Sequence, residues 1–219
     1  MKSYFEYGEK ETSYLKSKDK RLGEVIDRVG PIYREVDPDL FSSVIHHIIG
    51  QQISTKAQAT IWKRRQEGLG KVNSETILQS TKEELQSFGR TFRKVEYIKD
   101  FARKVHTGQF DLDSVWKRDD PSAIAALSEL KGIGVWTAER ILLFSRQRLN
   151  IFSKDDLAIQ RGLRRVYHHR KIDSKRFERY RKRFSPYCSV ASLYLWAVAG
   201  GAIKGRKDFQ TKTSKVKKL

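Results

Sequence analysis

Two adjacent carboxylates, Asp155 and Asp156, stand in the segment FSKDDLAIQ, just ahead of a stripe of apolar residues at helical spacing. Acids in such a place have two readings. Ser153 lies three residues before Asp156, which is the S-x-x-D spacing of a capping box, with Ser153 as the helix cap. Alternatively Asp156 sits at the positive end of the helix dipole, stays ionised and presents its carboxylate to a cleft. The local spacing favours the cap, and Asp155 reads as a helix-end or solvent-facing acid. Further upstream, residues 127–138 spell LSELKGIGVWTA. A helix ending at Leu130 or Lys131, a hairpin on Gly132-Ile133-Gly134 and a new helix from Val135 would expose backbone N–H groups at a helix start. Such groups and the dipole end together favour a phosphate. The glycines permit the tight turn and clear side chains from the path of a phosphate backbone, while Ile133 can point inward to lock it. G-x-G between helices serves equally as an ordinary turn. The single cysteine, Cys188, excludes an internal disulfide and any four-cysteine zinc or iron-sulfur site. His46 and His47 lack a third ligand at suitable spacing and read as polar surface or cleft residues.

The elements that must hold these residues are helical. Only four prolines occur, and apolar residues recur at three- and four-residue steps far more often than they alternate. Leu22, Val25, Ile26 and Val29 form one stripe, closed by Gly30-Pro31, and Phe41 through Ile49 form the next. Ser54 starts a helix carrying Ala57, Ile61 and Trp62 that ends at Gly68 and Gly70. Short helices follow near Ser74–Leu78 and Thr81–Phe88, then a longer one from Thr91 through Val105. Leu112 to Trp116 reads as a hydrophobic turn, and Pro121 suits the start of the helix before the hairpin. Helices over Val135–Phe144 and LAIQRGLRRVY come next, and the apolar run Val190–Ile203 is a buried helix, too short to cross a membrane. About ten helices imply an all-α fold of two packed helical lobes with a cleft between them. One domain over residues 1–203, its chain ends sharing a lobe, precedes a basic, disordered tail at 204–219.

Charge narrows the partner. Across 219 residues, 45 Lys and Arg face 26 Asp and Glu, a net +19. Nucleic acid is the leading polyanion, an anionic membrane surface the second. The tail contributes seven basic residues and one acid, leaving +13 on residues 1–203. Residues 160–184 set eleven Lys or Arg against two acids, a one-sign imbalance that suits a phosphate-facing surface. The N-terminus mixes charges with aromatics and has no signal-peptide core, so an intracellular setting is expected.

The run LKGIGVWTA, followed twenty residues after Trp136 by Asp156, resembles the helix-hairpin-helix (HhH-GPD) DNA glycosylase superfamily, most of all its 3-methyladenine DNA glycosylase II branch. Four further segments agree in order: DKRLGEVIDRVGP at 19–31, VIHHIIGQQIST at 44–55, RTFRKVEYI at 90–98 and SPYCSVASLYLWAVAG at 185–200. The resemblance covers roughly residues 15–200. It implies a monofunctional base-excision-repair glycosylase that flips out an alkylated purine of the 3-methyladenine or 7-methylguanine type. Hydrolysis of the N-glycosidic bond would leave an abasic site. The hairpin Gly132, Ile133, Gly134, Val135 and Trp136 would grip a phosphate through the N–H groups of Gly132, Gly134 and Trp136. A Na+ or K+ ion would rest on the carbonyls of Ser128, Leu130 and Ile133. Asp156 takes the catalytic carboxylate's place, where it would stabilise positive charge developing on the deoxyribose.

The resemblance further puts Trp136, Trp196, Arg140 and Leu157 around the base. It makes Gln52 the wedge that fills the gap in the duplex, with Gln51 and Ile53 as neighbouring candidates. Relatives that also nick the strand carry Lys where Trp136 stands, and indole cannot form a Schiff base. No iron-sulfur cluster or other cofactor is expected, and the partner is double-stranded DNA with damaged bases, met by a monomer without a membrane. Arg140 and Leu157 replace aromatics of some close relatives, and Cys188 replaces an Arg of the closing motif. The lesion is therefore less firmly assigned than the reaction. Other readings are a glycosylase for deaminated or oxidised bases, or a non-catalytic helix-hairpin-helix DNA-binding module.

Overall fold

The computed structural model describes residues 3–51, 72–87, 91–205 and 208–209. Twelve α-helices and one antiparallel pair of two-residue strands are found among them. The chain divides into two compact units, one formed by Met1–Tyr4 and Glu35–Arg148, the other by Phe5–Arg34 and Leu149–Leu219.

The first unit holds the strand pair β1 (Ser3–Tyr4) and β2 (Glu35–Val36), with Ser3 opposite Val36. Its helices are α3 (Leu40–Gly50), α4 (Ser74–Gln79), α5 (Lys82–Ser87), α6 (Phe92–His106), α7 (Leu112–Lys117), α8 (Asp120–Ser128) and α9 (Val135–Arg146). Their starts follow the capping rule closely: Asp39, Asn73, Thr91, Asp111 and Asp119 each accept a first-turn N–H. Leu112 to Trp116, expected as a turn, belongs to the short helix Leu112–Lys117, capped by Asp111, which accepts from both Asp113 and Ser114 N–H. The helix before the hairpin stops at Ser128, two or three residues earlier than the expected end at Leu130 or Lys131. The core is built on the stripe of α3, where Phe41 stacks on Phe101 of α6 at 5.0 Å, and α9 packs on both α8 and α3. The helix expected from Ser54 to Gly70 lies outside the described residues.

The second unit consists of α1 (Glu9–Lys18), α2 (Lys20–Val29), α10 (Leu157–Tyr167), α11 (Ser174–Phe184) and α12 (Cys188–Gly200). Helix α12 is apolar on every side and buried from Cys188 through Leu195, as a helix surrounded by others must be. It runs along α10 and also touches α1, α2 and α11. Gly162 makes the closest approach possible: a Cβ there would meet the Leu195 carbonyl oxygen at 2.4 Å. Within the tail, Asp208 forms a two-pronged pair with Arg164 (2.7 and 2.8 Å), and Phe209 lies against His168. No described helix is long and apolar enough to cross a membrane.

Candidate functional site

In the second unit the loop ahead of α10 is fixed from below. Ile151 N–H donates to Ser189 Oγ at 3.0 Å, Ser189 N–H donates to the Leu149 carbonyl, and Phe152 stacks on Phe177 at 4.6 Å. The chain then turns into α10 at Asp156, and here the capping-box reading is corrected. Asp156, not Ser153, is the N-cap: its Oδ1 accepts from Ala158 N–H and Ile159 N–H, both at 2.9 Å. Ser153 is buried in the loop and offers its carbonyl to Asp156 N–H. An aspartate at the third helical position would reach back to its cap residue's N–H, whereas an N-cap aspartate accepts from the first-turn N–H groups and stands at the positive end of the helix. The sequence holds both registers, and burial of Ile151, Phe152 and Ser153 selects the later one.

A third donor comes from α12. Trp196 Nε1–H reaches Asp156 Oδ1 at 3.1 Å, so the tryptophan expected beside the base also orients the carboxylate by its indole edge. Asp156 is only 4% exposed, while its neighbour Leu157 is 76% exposed, and Asp155 faces solvent. An anion this buried is tolerable because two peptide dipoles and an indole N–H replace its water.

In the first unit the hairpin between α8 and α9 is equally built. Ile133 is buried and its N–H closes the turn onto the Leu130 carbonyl at 3.0 Å. Gly132 takes φ +82° and has Tyr97 against it: a Cβ would meet the ring at 2.3 Å, so glycine is required on two separate grounds. Gly134 is the N-cap of α9, yet it has no side chain to satisfy the first turn, and a Cβ there would meet nothing within 4 Å. The helix thus opens with N–H groups that its own carbonyls cannot reach, behind exposed Val135 and Trp136. That is the geometry of an anion site.

Two residues that hold the hairpin escaped the sequence reading. Gln51, a wedge candidate by resemblance, donates from Nε2 to the Gly132 carbonyl at 2.6 Å, a contact the sequence did not suggest. Lys94 of α6 in turn caps the end of α3, donating to the Ile49 and Gln51 carbonyls. These contacts join positions 81 and 43 residues apart, and no local spacing encodes them. Gln52 and Ile53, the other wedge candidates, lie outside the described residues. Trp136 and Phe144 both carry the Arg140 guanidinium, at 5.1 and 5.0 Å from their ring centres. His47 bonds the Ser43 carbonyl and stacks on Phe144, the role of a packed helical histidine.

Cys188 is buried at the start of α12, and burial pushes its thiol up to about 12. No group of three or more His, Cys, Asp or Glu that would suit a metal ion occurs among the described residues. Around the hairpin the donors are carbonyls. The Leu130 oxygen already accepts a hydrogen bond, and Ser128 Oγ is buried with no hydrogen-bond partner, an oxygen that a small hard cation would satisfy.

Residues 45–186 match the family described as "HhH-GPD superfamily base excision DNA repair protein". A DNA-3-methyladenine glycosidase from Bacillus halodurans has a crystal structure similar to this chain. Its TM-score is 0.79 at 32% identity, over 91% of this chain and 94% of that one. Schizosaccharomyces pombe 3-methyladenine DNA glycosylase (Mag1), solved in complex with abasic DNA, follows at TM-score 0.77 and 25% identity, over 87% and 97%. Bacillus subtilis YfjP is 28% identical over 173 residues, and there this chain spans only 59% of the relative's length.

Proposed function

The chain belongs to the HhH-GPD superfamily of base excision DNA repair proteins, and from that premise we propose that it is a monofunctional DNA glycosylase releasing alkylated purines. The observation that carries this reading is Asp156: a buried carboxylate at the N-terminus of α10, oriented by Ala158, Ile159 and Trp196. The relatives named 3-methyladenine glycosylases supply the substrate class.

The chemistry fits one fixed negative charge. An N3- or N7-alkylated purine already carries a formal positive charge. When the bond from C1′ to the base breaks, its electron pair leaves with the base and neutralises that charge. No general acid is needed for the leaving group. The positive charge passes to the deoxyribose, and the Asp156 carboxylate stabilises it there; water then adds to C1′ and loses a proton, giving an abasic sugar. Because Asp156 is held by three donors, it requires little reorganisation as charge develops.

Trp136 offers exposed aromatic surface for an extruded base, and its face attracts cations, as its contact with Arg140 illustrates. The hairpin amides around Gly132–Trp136 hold a backbone phosphate of the same DNA. Ser128, Leu130 and Ile133 would hold a monovalent cation there, which would add positive charge to the phosphate grip. Trp136 cannot form a Schiff base, so the strand stays intact after base release.

The test is incubation of the protein with duplexes containing single defined lesions, followed by alkali. Release of 3-methyladenine or 7-methylguanine, with breaks appearing only after alkali, supports the reading. Release confined to oxidised or deaminated bases would replace the substrate class, and DNA binding without release of any base would leave a binding module.

A further inference from the structure

The second unit also contains a pocket of about 470 Å³ that includes no residue of the site described above. Four cations line it: Lys18 and Lys20 at the junction of α1 and α2, Arg21 on the first turn of α2, and Arg183 on α11. One acid is present, Asp19, and it is already engaged by Arg183 Nη1 and by Leu22 N–H. Structural ion-pair networks balance their signs, whereas this pocket holds four positive charges to one negative.

The wall between these cations is aromatic. Tyr167 packs on Tyr180 at 4.3 Å, and the Tyr180 hydroxyl meets His169 Nε2 at 2.8 Å. Tyr167 is 7% exposed, and its buried hydroxyl has the Asp19 carboxylate as its neighbour. Burial, and after it the nearby Asp19 carboxylate, hold the Tyr167 phenol above its ordinary range, so it remains a proton donor. Arg183 donates to Asp19 and Arg21 Nη1 to the Tyr167 carbonyl at 3.3 Å, yet the pocket still sets four cations and the tyrosine and histidine edges against a single carboxylate. Tyr167 ends α10 and Asp156 precedes it, so the two lie about 16.5 Å apart along the helix at 1.5 Å rise per residue.

A phosphate supplies what is missing: negative charge and several acceptor oxygens. The volume exceeds that of a phosphate alone, and the tyrosine and histidine edges suit an attached nucleoside. We propose that this pocket binds a phosphate group carried on a nucleoside, either a free nucleotide or part of a nucleic-acid strand.

The test is an NMR titration of the full chain at constant ionic strength, following the ring signals of His169 and Tyr180. The probes are inorganic phosphate and deoxyadenosine 5′-monophosphate. Saturable shifts are expected, with the nucleotide binding more tightly than phosphate. Lys18→Gln/Lys20→Gln alters only exposed side chains and should weaken binding at least about tenfold. Tyr167→Phe should weaken it by about tenfold, the size of one hydrogen bond to a charged group. Absence of saturable shifts up to about 10 mM, well beyond weak millimolar affinity, overturns the proposal. Unchanged midpoints in both variants overturn it as well. Affinity for undamaged duplex separates the two sources: a strand phosphate makes Lys18→Gln/Lys20→Gln lose duplex affinity and salt dependence, while a free nucleotide leaves both unchanged.

Discussion

Replacing Asp156 by Asn separates its two jobs, capping α10 and supplying charge. The Asn side-chain oxygen can still accept from Ala158 N–H, Ile159 N–H and Trp196 Nε1–H, all now within 3.1 Å of Asp156 Oδ1. Asn is as good an N-cap as Asp. What disappears is the charge and its interaction with the helix dipole, about 0.3–1 kcal/mol and up to ~2 kcal/mol when partly buried. Relief from burying an ion at 4% exposure offsets part of that loss. Net stability should therefore change by no more than about 1 kcal/mol, a shift of about 2–4 °C in Tm for a domain of this size. The reaction is affected far more. Removing one preorganised electrostatic contact to a transition state costs about 3–4 kcal/mol, or about 10²–10³ in rate. Single-turnover release of 7-methylguanine from a defined duplex, read beside a thermal melt, measures both. Asp156→Ala is the control that loses the cap too, at about 0.5–2 kcal/mol. An Asp156→Asn protein that melts near the wild type and releases base within tenfold of its rate refutes the assignment of Asp156.

Gly132→Ala must place a Cβ against Tyr97 and hold φ +82°; we expect a loss of about 1–3 kcal/mol, and weaker binding to undamaged duplex in a fluorescence-anisotropy titration, whereas Gly134→Ala, with open space, should fold as the wild type does. Arg140 places a fixed cation on the Trp136 ring. Arg140→Leu should therefore increase release of cationic 7-methylguanine relative to a neutral lesion in a competition assay, by about tenfold or less for one screened charge. His169 is held below its ordinary value by burial and by the charges of Arg176 and Arg21. As pH falls below about 6.5 the unfolded chain takes the proton first. Tm should decline through that window in the wild type and less steeply in His169→Gln.

Much of this architecture was legible because the apolar stripes of α3, α6 and α9, the helix start at Thr91 and Pro121 at the start of α8 are local signals. Helix α1 left no such trace: of its ten residues only Leu15 is buried, so no stripe exists to find. The hairpin and Asp156 were also local, a G-x-G turn and a helix start. Register at Asp156 was not, since S-x-x-D permits two caps and only the burial of Ile151–Ser153 under α11 and α12 decides between them. Trp196 illustrates the other limit. The resemblance put it beside the base, and nothing local announced that the close approach of α10 and α12 at Gly162 would also bring its indole edge to the carboxylate. Gln51, Lys94 and Tyr97 support the hairpin through contacts between distant segments, and side-chain type alone does not reveal which carbonyl a glutamine will meet.

The central claim, hydrolysis of an alkylated purine's glycosidic bond without strand cleavage, is tested most directly by one measurement. A duplex carrying a single 7-methylguanine is incubated with the full chain, and the freed base and the strand breaks are quantified separately, before and after alkali. The account predicts free base equal to alkali-revealed breaks, with no breaks beforehand. Breaks before alkali, or no free base from any alkylated purine, would contradict it.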